Sequence, residues 1–171
     1  MRLAELQAGQ GFSKNGEDFI VLRQETGQTV VVTKDIDMVT VFDTESPQWS
    51  ASSLRNFLNT SFIKSVEEIF GAENLIYNEA DMTSLDGFSY YGKCMDKIRL
   101  MSFEEIKQFP NLDNTSGEWE LTTTPWSIPE RGGEYSLCLV AYRGFVRNYD
   151  CRNAGAIRPL MVVKNDVEVD V

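Results

Sequence analysis

Aromatic side chains alternate with arginines and asparagines in the last third of this sequence. Tyrosine, tryptophan and arginine provide large contact areas and directional hydrogen bonds, so they supply much of the binding energy of protein interfaces. The stretch RNYDCRN between Gly144 and Gly155 is poor in aliphatic residues and therefore poorly suited to burial. The candidate binding residues are Trp126, Arg131, Tyr142, Arg143, Phe145, Arg147, Asn148, Tyr149, Arg152 and Asn153.

The geometry of a β-strand would gather part of this set on one surface. If Phe145, Arg147 and Tyr149 lie on one strand, they project from the same face, because side chains alternate along a strand. The alternative interpretation places the aromatic rings in the core and the arginines on an ordinary solvated surface. Composition favours the binding surface.

The chain as a whole is acidic, with 16 Lys and Arg against 26 Asp and Glu and a net charge of -10. We therefore expect neither direct binding to nucleic acid nor attraction to an anionic membrane. Residues 131–158 are the exception, because five arginines there face only Glu134 and Asp150. The alternative for these arginines is that several pair with acids elsewhere in the fold.

The sequence gives little support to catalysis. Histidine is absent, which excludes imidazole acid-base chemistry and the usual activation of serine or cysteine nucleophiles. No dinucleotide-binding, P-loop, zinc-protease or nucleophile-elbow motif occurs. We predict that the protein is not an enzyme and needs no cofactor. A carboxylate-dependent hydrolase ranks third among the function classes, since paired acids can come from distant segments.

The cysteines and the local acids predict no disulfide and no metal site. Cys94, Cys138 and Cys151 are odd in number and form no CxxC pair, so free thiols are expected. Cys151 lies between Asp150 and Arg152, and we interpret it as structural because no histidine is present to act as its base. The acids Asp81, Asp86 and Asp96 do not have the spacing of an EF-hand loop.

The first elements that must position these residues are a hairpin and a helix. Period-two apolar residues predict strands at 18–24 and 28–34. Residues 51–70 have helical spacing, which predicts one bent helix or two short ones packed on the hairpin, with Gly71 as the stop. The predicted core stripe of this helix is Leu54, Phe57, Leu58, Phe62, Val66, Ile69 and Phe70.

A loop, a strand and a short helix follow. Residues 72–92 have weak periodicity and are predicted to be a surface loop, and KIRLMS is predicted to be a strand. Ser102 and Glu105 form a capping-box pattern, which predicts a helix through Phe109 that Pro110 ends. The β-rich runs ELTTTPW, YSLCLVAY, GFVRNY and AIRPLMVV then predict a small antiparallel sheet.

These elements predict a single α+β domain over residues 1–171. Residues 1–110 would supply the β-hairpin and helices, and residues 111–171 a β-rich part that carries the binding loops. No apolar run is long enough to span a membrane, and the first residues lack the apolar stretch of a signal peptide, so we expect a cytoplasmic protein.

Several segments together resemble a family of uncharacterised domains of gut Gram-positive bacteria and their phages. The segments are LxELQAGQGFSKNGEDFIVLRQE, SSLRNFLNTSF, LDGFSYYGKCMDKIRLMSFEE, TTTPWSIP and GAIRPLMVV. The sharpest similarities are SLRxxLN at Ser53–Asn59, the tryptophan and proline block at Pro125–Pro129, and Gly155, Arg158 and Pro159. Family members usually carry a WWLxSP-like block, whereas this chain has Thr124, Pro125, Trp126 and Ser127.

The C-terminal half of that family is similar to C-type-lectin-like folds, in which long loops on a small twisted sheet display variable binding residues. The resemblance implies no enzymatic activity. The EPN-like and WND signatures of calcium lectins are missing, so it does not imply calcium-dependent carbohydrate binding. It implies a structural role for Arg158 and places the variable binding surface between Tyr142 and Asn153.

The residues and the resemblance together predict a non-catalytic protein-binding module of bacterial or phage origin, in the cytoplasm of the bacterial host cell. The alternative is an acidic phage-encoded inhibitor whose N-terminal half imitates nucleic acid, as anti-CRISPR proteins do. In that case the partner is a host nuclease or another nucleic-acid-binding host protein.

Overall fold

The computed structural model describes residues 1–109, 118–141 and 145–171. These residues form one mixed α+β domain, which confirms the predicted fold class. Among them, no helix combines the length and the apolar character that crossing a membrane requires.

Strands are the most abundant regular secondary structure of the described chain. In chain order they are β1 (Gly11–Lys14), β2 (Glu17–Glu25), β3 (Gln28–Thr33), β4 (Met38–Val41), β5 (Leu75–Ile76), β6 (Asn78–Asp81), β7 (Lys93–Asp96), β8 (Ile98–Arg99), β9 (Glu120–Pro125), β10 (Ser136–Val140), β11 (Val146–Asp150), β12 (Ala154–Ile157) and β13 (Leu160–Lys164).

Helical elements are fewer than strands in the described ranges. Three are α-helical, α1 (Ser53–Phe57), α2 (Ile63–Phe70) and α3 (Phe103–Gln108), and Leu58–Phe62 forms a π-helical segment between α1 and α2. Single 3-10 turns occupy Leu3–Glu5, Trp49–Ala51, Ala72–Asn74 and Pro129–Arg131.

The first sheet is built on the predicted N-terminal hairpin. Its strand order is β1-β2-β3-β13-β5, and β8 pairs with β13. Strand β13 runs antiparallel to β3, with Leu160 opposite Val32. The valine run of β3 packs against the main core on one face and against a smaller cluster on the other, which explains its unbroken apolar character.

The second sheet has the order β11-β10-β9-β12-β4. Strands β9, β10 and β11 are antiparallel as predicted, but β12 runs parallel to β9 and pairs with β4 from the first half of the chain. The run AIRPLMVV is two strands in different sheets rather than one. Pro159 lies at the break, where its missing backbone N–H cannot continue a ladder.

Residues 53–70 form a continuous helical run, so the choice between one helix and two is settled in favour of one. The buried positions Leu54, Leu58, Val66 and Phe70 follow an i+4 series, with Phe62 partly buried on the core. Such a series drifts by about 40° at each step of an α-helix, because one residue advances the helix by about 100°. The wider turn of the π-helical segment takes back part of this drift, which keeps the series on one face.

Phe57 was wrongly predicted to be a core residue, because its side chain is 38% exposed. It lies three residues after Leu54 and off the i+4 series that the π-helical segment maintains. The packing of the helix on the hairpin is confirmed, since the Phe70 and Phe19 rings are 5.0 Å apart. Gly71 ends the helix with a positive φ of 85°, which glycine adopts without a steric penalty, and its N–H donates to the Glu67 carbonyl.

The SLRxxLN segment at Ser53–Asn59 fixes this helix to the rest of the domain. The Arg55 Nε donates to the buried Asp96 carboxylate at 2.7 Å. The Asn59 side chain donates to the Ile98 carbonyl at 2.8 Å and accepts from the Ile98 N–H at 3.0 Å, which imitates a strand pairing. These contacts give the resembling residues a structural role.

The prediction of a loop at residues 72–92 was wrong in part. This region contains β5 and β6, and β6 pairs with β7 so that Asn78 lies opposite Asp96. The sequence signal was weak because β6 is short and mostly polar. The helix after Ser102 is confirmed, with the complete capping box between Ser102 and Glu105. It ends at Gln108, with Phe109 as its C-cap, and Pro110, which was predicted to end it, lies outside the described residues.

Candidate protein-binding surface

The predicted binding residues are centred on β11, the edge strand of the second sheet. Arg147 and Tyr149 lie opposite Leu139 and Leu137 of β10, so they share one face of the strand as predicted. We call Phe145, Arg147, Tyr149 and Arg152, with the neighbouring Trp119 and Tyr135, the arginine surface.

Arg147 is exposed but held in place by aromatic rings. Its guanidinium carbon lies 4.6 Å from the Trp119 ring centre and 5.5 Å from the Tyr149 ring centre. Within the described ranges no carboxylate lies close enough to form an ion pair with it. The guanidinium is therefore stacked while its hydrogen-bond donors remain available to a ligand.

Trp119 was not predicted as part of this surface. It precedes β9, and its carbonyl accepts from the Ala156 N–H, which brings the start of β9 beside β12. The pairing of β9 with β12 is parallel and joins distant segments, so the sequence spacing gave no signal for it. A tryptophan at the start of a predicted strand was the only available hint.

Tyr149 contributes to both the surface and the core. Its ring packs against the main core, and its hydroxyl donates to the Ala154 carbonyl at 2.6 Å. This hydrogen bond closes the turn between β11 and β12. The alternative interpretation, which placed the aromatic rings in the core, is therefore correct in part for Tyr149, since its ring is partly buried there.

Arg152 is largely neutralised by its neighbour. Its Nε and Nη2 contact the two oxygens of Asp150 at 2.9 and 2.7 Å, and its guanidinium carbon lies 3.9 Å from the Tyr135 ring centre. The hydrogen bonds from Arg152 lower the pKa of Asp150, and the same pairing raises the pKa of Arg152. This fork-to-fork pair presents a flat, nearly neutral surface on Tyr135.

Arg131 belongs to a different cluster. Its Nε lies 3.2 Å from the Asp86 carboxylate, and its guanidinium carbon lies 5.3 Å from the Phe88 ring centre. These contacts join it to the connection between β6 and β7 rather than to β11. Trp126 is half-buried, and its backbone N–H donates to the Ser136 carbonyl.

The remaining predicted residues either have side chains that do not stack on Arg147 or lie outside the described residues. Asn148 is exposed but points to the opposite face of β11 from Arg147, because it alternates with it along the strand. Asn153 is exposed in the turn after β11, where its N–H donates to the Asp150 carbonyl. Tyr142 and Arg143 lie outside the described residues.

Arg158 lies in the interior, as the resemblance implies for a structural arginine. Its side chain is 2% exposed, and its Nε is 2.9 Å from a carboxylate oxygen of Glu120. Arg131, Arg152 and Arg158 thus pair with acids, as the alternative interpretation of the arginine-rich stretch proposed. Arg147 does not follow this pattern.

The three cysteine thiols are free and disfavour the thiolate form. Burial is the main cause in each case, and it raises the pKa of Cys94 and Cys151 to about 11 and that of Cys138 to about 12. An activated nucleophile needs the opposite shift. The environment of Cys151 therefore agrees with a structural interpretation.

The three acids without EF-hand spacing, Asp81, Asp86 and Asp96, have separate partners. Asp96 accepts from Trp49 and Arg55, Asp86 contacts Ser127 and Arg131, and Asp81 accepts from Thr83. In the part of the chain that the structure describes, no group of three His, Cys, Asp or Glu residues is arranged to hold a metal ion.

The chain matched no model of a known protein family, no curated protein and no solved structure. The resemblance to domains of gut bacteria and their phages, and the lectin-like character of the C-terminal half, therefore stay predictions.

Proposed function

We propose that the protein is a non-catalytic protein-binding module of bacterial or phage origin that contacts its partner through the arginine surface. The observation that carries this proposal is the position of Arg147, exposed, stacked on Trp119 and Tyr149, and without a carboxylate partner in the described chain. A guanidinium held in this way can donate hydrogen bonds to a group of the partner protein.

Pre-organisation explains why such an arginine binds well. Ordering a free arginine side chain on binding costs conformational entropy, whereas stacking between rings has already restricted the Arg147 side chain. Its planar fork of donors fits a carboxylate or a pair of carbonyl oxygens on the partner. The partner group that we expect opposite Arg147 is therefore an acidic side chain or an exposed backbone segment.

Two neighbouring features extend the contact. The Phe145 side chain is 67% exposed directly before β11, so it offers an apolar anchor beside the cation. Strand β11 is the edge of its sheet, and edge strands leave one row of backbone groups available for pairing. A partner that adds an extended segment along β11 would use the backbone and Arg147 together.

Comparative capture from a bacterial lysate tests this proposal. Immobilised wild-type protein is compared with Arg147→Ala, with Arg147→Lys and with the control Lys64→Ala, which removes one exposed charge from α2. We expect a protein that wild type and Lys64→Ala retain, that Arg147→Lys retains weakly and that Arg147→Ala loses. Equal capture by Arg147→Ala and wild type would contradict the proposal.

A second candidate function is favoured by the net charge of -10. In it the protein is a phage-encoded inhibitor whose acidic surface imitates nucleic acid and occupies a basic site of a host nuclease. Glu67→Lys and Glu68→Lys should then weaken capture while Arg147→Ala leaves it unchanged. Capture should also fall steeply with rising salt concentration, because exposed charges are screened.

A further inference from the structure

A groove of about 430 Å³ opens between the hairpin and the main helix. Its floor is apolar, and four of its residues, Phe19, Phe62, Val66 and Ile69, also pack on the main core. Ile36, which follows β3, lines it as well. The groove contains no residue of the arginine surface, so a ligand in it would not compete for Arg147.

Carboxylates surround this apolar floor. Glu17, Asp18, Asp35 and Asp37 line the groove, and none of its described lining residues is a lysine or arginine. Lys34 contacts Asp18 at 3.5 Å from outside the lining, and no other rim carboxylate has an ion pair with a residue in the described ranges. Glu17, Asp35 and Asp37 therefore place negative charge without an ion-pair partner in the described ranges above a hydrophobic surface, whereas the charge of Asp18 is partly offset by Lys34.

Asp37 lies at the mouth of the groove, close to the negative charge of Glu17. Its backbone N–H donates to the Ile157 carbonyl, which fixes the residue at the mouth of the groove. The residue as a whole is exposed, but partial desolvation of its carboxyl group and, second, the nearby charge of Glu17 raise the pKa of that group. A cation placed among these carboxylates would reverse the effect of Glu17, because an opposite charge favours the ionised form.

We propose that this groove binds a segment of a partner protein in which a lysine or arginine lies next to an apolar side chain. The methylene stem of the basic residue would lie along Ile36 and Ile69, and its charged group would contact the rim carboxylates. The adjacent apolar side chain would occupy the floor formed by Phe62 and Val66. The groove volume lies within the range of about 300–1,000 Å³ that is typical of ligand sites, which suits one or two side chains.

Charge selects the occupant among the possible ligands. A nucleic acid or an acidic peptide would be repelled by the rim. A purely apolar segment would bury the rim carboxylates without compensation, which costs free energy. A segment that combines one basic and one apolar side chain satisfies both parts of the groove.

A library of random peptides displayed on phage supplies the probe. Peptides selected on the wild-type protein are synthesised, and their affinities are measured by fluorescence anisotropy for wild type, for Asp35→Asn/Asp37→Asn and for the control Glu67→Gln/Glu68→Gln. Both double variants remove the same charge, but Glu67 and Glu68 do not line the groove. Asp35 and Asp37 are exposed, and a thermal melt of each variant verifies its folding.

We expect selected peptides that carry arginine or lysine beside leucine, isoleucine or phenylalanine. Two exposed charge contacts together account for about tenfold in affinity, so the groove variant should bind about tenfold more weakly. The control should bind within about twofold of wild type. Equal weakening in both variants would assign the binding to net charge alone and overturn the proposal, as would peptides without basic residues or an unchanged affinity in the groove variant.

Discussion

A single arginine becomes available for binding only when its guanidinium is not already committed within the fold. Arg131 and Arg152 contact Asp86 and Asp150, and Arg158 is buried against Glu120. Arg147 instead lies over Trp119 and Tyr149. The four residues look equivalent in sequence, and the acids and rings around them decide which one can recognise a partner.

Gly155 on β12 lies so close to the Leu121 side chain on β9 that a larger residue would collide with it. A Cβ added to Gly155 would lie 2.7 Å from Leu121 Cδ2 and 2.8 Å from Leu121 Cγ. Leu121 is buried, so it cannot move away freely. We predict that Gly155→Ala lowers the free energy of unfolding by about 1–3 kcal/mol, as overpacking of a core does.

The matched control for this prediction is Gly11→Ala. An added Cβ at Gly11 would meet only the Phe19 carbonyl, at an ordinary 3.6 Å. Urea titration should place this variant within about 0.5 kcal/mol of wild type. A stability loss in Gly155→Ala no larger than in Gly11→Ala would show that the sheet accepts the methyl group.

The main helix illustrates what the sequence can predict about an element. Its length, its stop at Gly71 and most of its core stripe follow from apolar spacing alone. The π-helical segment could not be predicted, because the i+4 series of Leu54 and Leu58 looks the same whether the drift is corrected by a wider turn or by bending. The exposure of Phe57 is the consequence that spacing missed.

Adjacent substitutions test this account of the helix. Leu58 is 0% exposed, so Leu58→Ala should lower the free energy of unfolding by about 2–5 kcal/mol through the lost burial and the cavity left behind. Phe57→Ala should cost less than about 1.5 kcal/mol, because its ring is already partly solvated. Similar losses for the two variants in denaturant titration would contradict the assigned faces.

The short helix α3 provides a pH-dependent test. Burial tends to raise the pKa of Glu105, but the hydrogen bonds and the charge of Arg99 outweigh it and bring the pKa to about 2. Because this pKa is lower than the ordinary value of 4.5, the stabilisation is present above that value and is lost as the pH falls toward 2.

We therefore predict that Glu105→Gln is less stable than wild type near neutral pH, by on the order of 3 kcal/mol. The difference should shrink as the pH falls from about 4.5 toward 2, because the unfolded wild type binds a proton at Glu105 in this range while the folded protein does not. Chemical denaturation over this pH range measures both curves. A stability difference that does not depend on pH would mean that the charge of Glu105 contributes nothing.

The two halves of the chain are joined because each sheet contains a strand from the other half. Strand β13 from the end of the chain pairs with β3 in the first sheet, and β4 from the beginning pairs with β12 in the second. Composition and local patterning predicted an α+β domain and most strands, but these pairings join residues far apart in sequence. The same long-range pairings bring Trp119 beside Arg147, so the full arginine surface could not be read from spacing.

Two chemically different surfaces lie in different parts of this fold. The arginine surface lies on β11 and the turn after it, whereas the acidic groove lies between the hairpin and the helix. The proposed partner contact lies on the first surface, and the proposed site for a basic segment lies in the second. Substitutions in one should leave binding at the other unchanged, because no residue is shared.

Titration calorimetry of Arg147→Ala against the partner that wild type captures tests the central claim most directly. Loss of a buried interfacial arginine costs about 2 kcal/mol or more, so the account predicts a loss of affinity of at least about thirtyfold, with a melting temperature close to that of wild type and an unchanged affinity for Lys64→Ala. Equal affinities of Arg147→Ala and wild type would contradict it.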